Sequence, residues 1–194
     1  GIADISGGVS SLTITDCIAR ECANGIKATG KTSMTISGLV VDKPTSDGIV
    51  MDACSAFSLV GAVVTNGSKN GIVLTGCSSG VVTASALLSG WGGIVLKNCV
   101  AVSLLGCHSI DSSTAGVGPH HGILLDTCTG CTVAASHSFV TTNAPTQQFC
   151  LLADNCTNTS VFGNMLMPTH DPNGEAVSYV PDLCILMTGV NNLE

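Results

Sequence analysis

Gly71-Ile72-Val73-Leu74-Thr75-Gly76-Cys77 and, one unit later, Gly93-Ile94-Val95-Leu96-Lys97-Asn98-Cys99 decide the fold. Each opens on a glycine, runs through apolar residues and closes on a cysteine at the same offset. The marker recurs as Gly1-Ile2, Gly25-Ile26, Gly48-Ile49-Val50-Met51 and Gly122-Ile123-Leu124-Leu125. It weakens to Phe149-Cys150-Leu151-Leu152 and Leu183-Cys184-Ile185-Leu186. Starts in the regular part lie 22 to 24 residues apart. That period belongs to a solenoid, whose units bury their apolar faces only against the units on either side.

Inside a unit the pattern is that of strands. Alternation puts Ile72 and Leu74 on one face and Val73 and Thr75 on the other. A second apolar column follows in Ile14, Ile36, Leu59, Val82, Leu104, Val133 and Val161. Two residues later comes a small-residue column of Gly38, Gly61, Ala84, Gly106, Ala135 and Gly163, which predicts a tight bend repeated coil after coil. A further strand, such as Leu39-Val40-Val41, leads back to the next glycine. Helices and leucine-rich repeats are rejected: no apolar stripe at helical spacing exists, and Ser, Thr, Val and Gly form helices poorly.

The 194 residues are 45% apolar and only 10% charged, with four Phe, one Trp and one Tyr. Aliphatic and thiol side chains must therefore fill the core. A net charge of -7 with six scattered Lys and Arg leaves no basic stripe for phosphates, so nucleic acid is not an expected partner. No apolar run approaches the ~20 residues of a membrane span, so no membrane insertion is expected. The whole chain, 1–194, reads as one domain, opening directly in a repeat like a piece excised from a longer protein.

Cys54, Cys77, Cys99 and Cys128 each stand six residues after their glycine, and Cys156 seven after Phe149. Parallel strands lie ~4.8 Å apart, so these sulfurs form a file along the axis. Cys128-x-x-Cys131 has no second ligand pair, so no metal or other cofactor is expected. The file reads instead as buried, reduced thiols acting as small hydrophobes.

These runs, the cysteine file and the coil length resemble the right-handed parallel β-helix family of pectate lyases and bacteriophage tailspikes. The resemblance implies an all-β, single-stranded solenoid of about seven coils. It also implies a structural, receptor-binding role in a viral tailspike-like fibre, folded in the host cytoplasm and recognising a cell-surface glycan. A polysaccharide-cleaving enzyme or a bacterial adhesin are the alternatives.

If the isoleucine after each glycine points inward, the next residue points out. That column reads Val50, Val73, Val95, Leu124, Leu151 and Ile185. Six apolar residues in line are an aggregation hazard in a monomer, so the column is the expected interface between copies. A missing lid, or simple tolerance of Val on a strand, would also explain it. Likeness to tailspikes makes a homotrimer the expected assembly.

Candidate chemistry rests on carboxylates. Asp52 and Asp126 share an outward column but stand three coils, about 14 Å, apart. Asp126 and Asp154 are one coil apart, with Asp154 offset by one position, and form the best pair for acid/base work. Asp111, His120 and His121 join Asp126 in the densest titratable cluster, with Asp111 and His121 as further catalytic candidates. Trp91, His120 and Tyr179 are the candidate ligand-binding residues. His108 and His137 fall in one column as corner residues. The four Phe align with core or corner positions, and Arg20 is the only Arg, which disfavours a pectate-lyase-like mechanism. Extra residues around 112–121, 143–148 and 168–182 are expected to emerge as loops.

Overall fold

A computed structural model describes residues 4–6, 10–90, 92–112, 120–139, 147–167 and 185–188. Among these residues every element is a β-strand, and the strands fall into three parallel sheets of eight, seven and seven. Each turn of the chain gives one strand to each sheet in order, so seven complete turns stack as the repeat requires. In one turn, Asn70–Thr75 enters the first sheet, Ser78–Thr83 the second and Ala86–Gly90 the third.

The marker glycine owes its place to space. The first and third sheets converge there. A Cβ on Gly71 would sit 2.7 Å from Leu87 Cδ2 and 3.1 Å from the Gly93 carbonyl oxygen. A Cβ on Gly93 would collide with the Ser109 hydroxyl and the Gly122 carbonyl oxygen. The bend column owes its composition to backbone angle instead. Gly38, Gly61 and Gly106 have φ of 61, 62 and 61°, and Ala84 and Ala135 are held at 47 and 48°. This is the left-handed region that L-residues avoid. A second such column, Gly30, Ala53, Gly76, Asn98, Thr127 and Asn155, turns the chain from the first sheet to the second.

Backbone hydrogen bonding continues around these corners, for example Ala53 N to Thr75 O at 2.8 Å and Gly76 N to Lys97 O at 2.8 Å. Where the corner before the third sheet leaves an N–H over, a side chain of the next coil accepts it. Ala62 N donates to Ser85 Oγ at 3.3 Å, Cys107 N to Ser136 Oγ at 3.2 Å, and Ser136 N to Asn164 Oδ1 at 2.8 Å. Burying those groups unpaired would cost about 1–3 kcal/mol each.

Inside, side chains stack on their own kind. Ile26, Ile49, Ile72, Ile94, Ile123 and Leu151 make one fully buried file of the first sheet. Phe57 is accommodated because Gly80 stands beneath it in the next coil, where any Cβ would strike the ring. The thiol file is present: Cys54, Cys77, Cys99, Cys128 and Cys156 are all buried and free. Each sulfur donates to a carbonyl of the preceding coil, as Cys77 does to Met51 O at 3.4 Å and Cys99 to Leu74 O at 3.4 Å. Burial pushes the thiols of Cys107 and Cys156 up. Cys54 and Cys131 also rise, first through hydrogen bonds with the neighbouring thiols of Cys77 and Cys128 and then through burial.

The sequence reading fails by one residue in the penultimate coil. Cys150 occupies the glycine slot, since Ile123 pairs with Leu151 and Leu124 with Leu152. Leu151 is therefore core, fully buried, and not an outward interface residue. Ile185 pairs with Leu151 and Leu186 with Leu152, so the last strand follows the same shift, and Leu152 continues the half-buried outward column. A one-residue shift exchanges the faces of a strand, and here the missing glycine concealed the shift. Val50, Val73 and Leu124 do face outward, half-buried, whereas Val95 is only 7% exposed. Phe57 is core, and Phe162, 58% exposed, ends its second-sheet strand at the corner beside Gly163.

The outer face of the second sheet differs from the others. Its strands, from Leu12–Thr15 to Ser160–Phe162, contain no charged residue. One outward file runs Thr13, Thr35, Ser58, Val81, Ser103, Thr132 and Ser160 in unbroken register.

Candidate functional site

The C-terminal edge of the first sheet carries an outward row of Thr29, Asp52, Thr75, Lys97, Asp126 and Asp154. Asp126 and Asp154 pair directly, without the expected offset, because the coil begins at Cys150. Their Cα atoms are thus one strand spacing apart, about 4.8 Å. Both are half-buried, and each precedes a left-handed corner residue, Thr127 at φ 55° and Asn155 at φ 51°. Thr127 Oγ1 donates to Asp126 Oδ1 at 2.9 Å, and Thr127 N donates to Asp154 O at 2.8 Å. Lys97 flanks the pair from the preceding strand, and Asp52 stays three strands from Asp126, as expected. Two carboxylates directly opposite one another cost stability in a sheet. Together with an adjacent ammonium, they form a row able to take hydrogen-bond donors and to move a proton.

His121 does not join them. It lies five residues upstream on the strand His120–Asp126, about 16 Å away in an extended chain. It is half-buried and follows Gly92 at the corner where the third sheet returns to the first. That corner, rich in Asn and Asp as the repeat suggests, carries a polar ladder. Asn24 Nδ2 donates to Asp47 O at 2.7 Å, and Asn70 gives Asp47 Oδ1 two bonds, from N at 3.1 Å and Nδ2 at 2.9 Å. Its signal was legible: Asn24-Gly25, Asp47-Gly48 and Asn70-Gly71 repeat an Asn or Asp just before the marker.

Asp111 belongs to the strand His108–Ser112 of the third sheet, a different sheet from Asp126. The backbone of His120 pairs with Gln147. The side chains of Asp111 and His120, and the whole of Trp91 and Tyr179, lie outside the described residues. His108 and His137 pair in register as the sequence suggested, their rings stacked with centroids 4.7 Å apart and planes at 22°. Asp42, also on the third sheet, accepts from Asn66 Nδ2 at 3.2 Å and Thr65 Oγ1 at 2.9 Å. Those bonds hold its carboxyl below the ordinary value. Among the described residues no three or more His, Cys, Asp or Glu gather in a way that could hold a metal ion.

The family described as the right-handed β-helix region matches residues 2–166. No curated protein matches the sequence. Among solved structures, the periplasmic alginate epimerase is 13% identical with a TM-score of 0.65, over 94% of this chain and 46% of its own. The catalytic domain of an α-1,3-glucanase of family GH87, in complex with tetrasaccharides, is 12% identical with a TM-score of 0.33, over 93% and 46%. This chain therefore spans about half the length of either, and at such identity the likeness concerns the fold.

Proposed function

Because the chain belongs to the right-handed β-helix family, and its coils stack into long parallel sheets, we propose that it acts on a polysaccharide along the edge of its first sheet. The observation that carries this reading is the direct pairing of Asp126 with Asp154. Retaining glycosidases place two carboxyl groups about 5–5.5 Å apart, close to one strand spacing. Asp126, oriented by the Thr127 hydroxyl, is the nucleophile that attacks the anomeric carbon. Asp154 protonates the departing glycosidic oxygen and then takes a proton from the water that releases the product. Lys97, beside them, binds an acidic or hydroxyl substituent of the neighbouring sugar.

The test is release of reducing ends from neutral and acidic polysaccharides by the parent, by Asp126→Asn and by Asp154→Asn. Each variant should lose at least about 10²-fold in rate. Retention of full activity by both, or no turnover by the parent on any glycan, would remove the enzymatic reading. Azide should restore turnover to Asp126→Ala as a glycosyl azide.

A second reading keeps the same face but without chemistry: a receptor-binding segment of a tailspike-like trimeric fibre on a virion, meeting a host cell-surface glycan. The half-buried apolar residues Val50, Val73 and Leu124 beside the carboxylate row favour it. It predicts glycan binding without turnover, and a trimer that Val73→Asp dissociates.

A further inference from the structure

We infer that two copies of this chain pair through the uncharged outer face of the second sheet. The argument begins with charge. The chain carries -7 overall, so most of its surface repels a second copy. The first sheet carries Lys27, Asp52, Lys97, Asp126 and Asp154 in its strands, and the third carries Arg20 and Asp42. Only the second sheet has no charged residue in any strand.

The same face gathers the exposed apolar side chains. Of the five large hydrophobics exposed among the described residues, four are on it: Val60 at 39%, Val81 at 36%, Val100 at 50% and Phe162 at 58%. Between them lie the serine and threonine hydroxyls of the outward files. A hydroxyl both donates and accepts, so such a file is complementary to its own copy. Neighbouring hydroxyls do pair along the axis, as Thr129 Oγ1 and Thr157 Oγ1 do at 3.0 Å.

Area suits a weak, concentration-dependent pair. Seven strands at about 4.8 Å span about 29 Å, and five residues at about 3.3 Å make about 16 Å of width. Two such faces bury about 900 Å², the size of a weak, transient interface. A face meeting itself is isologous, so it closes as a two-fold dimer and does not build a three-fold fibre. This interface is independent of the carboxylate row on the first sheet, so a dimer can form whether or not that row cleaves glycan.

Sedimentation equilibrium across a concentration series tests the assignment. The parent should shift from one to two chain masses as concentration rises. Association should strengthen with salt, because screening weakens the repulsion between two acidic bodies. The double variant Val60→Asp/Val81→Asp should remain monomeric with an unchanged circular-dichroism spectrum, and Val73→Asp on the first sheet should dimerise like the parent. A parent that stays monomeric at every concentration overturns the inference. So does a trimer, or any oligomer that survives Val60→Asp/Val81→Asp and is lost in Val73→Asp. Should the double variant misfold, Ser103→Glu on the same face serves in its place.

Discussion

Glycine and alanine recur at the turns of this chain, and for different reasons. Gly93 is needed for room, since a Cβ would meet the Ser109 hydroxyl and a neighbouring carbonyl. Ala84, at φ 47°, stands where a glycine would be at ease. Gly93→Ala should therefore lose about 1–3 kcal/mol through overpacking. Ala84→Gly should gain about 0.5–1 kcal/mol, because relief of the left-handed backbone exceeds the added unfolded-state entropy. Urea titrations of both variants check the signs, and a stabilised Gly93→Ala would show that the two sheets can part without cost. The glycine marker was plain in the sequence, but its cause was not. A missing side chain looks the same whether the angle or the neighbour requires it.

At the scale of the strand, register decides which side chains are core. The sequence pattern placed the inward isoleucines correctly from Ile26 to Ile123, because each of those coils opened on a glycine. It slipped at Cys150, where a buried thiol takes the glycine's place and pushes Leu151 into the core. That slip hid the site as well as the core. Asp154 looked offset from Asp126, and only the paired strands show them opposite. The thiol files give an expectation of their own. Of the ten cysteines described, Cys17 and Cys22 alone are not buried. Alkylation of the native protein, mapped by mass spectrometry, should label these two first. Cys77, Cys99 and Cys128 should label only after denaturation, and rapid native labelling of Cys99 would contradict a closed file.

Among the described residues, the main contacts between strands run within a coil or between neighbouring coils. Stability is then a sum of coil and interface terms, largest where a coil has neighbours on both sides. Amide exchange should be slowest at Ile72, Ile94 and Ile123 and faster in the coils at either end of the described stack. Uniform protection from Leu12 to Val161 would mean that the stack unfolds as a single unit. The three sheets also present chemically distinct outer faces. Among the described residues one carries paired carboxylates, one stacked imidazoles, and one no charged residue in its strands.

What the residues determined alone was local and periodic: the strand alternation, the bends, the thiol file and the solenoid, because each arises from side chains repeating at a fixed interval along one chain. What only the tertiary structure decided was lateral. The pairing of Asp126 with Asp154 and the alignment of the outward hydroxyl file on the second sheet depend on register between coils. Insertions of differing length change the sequence separation between coils without changing the pairing, so a count of residues could not recover it.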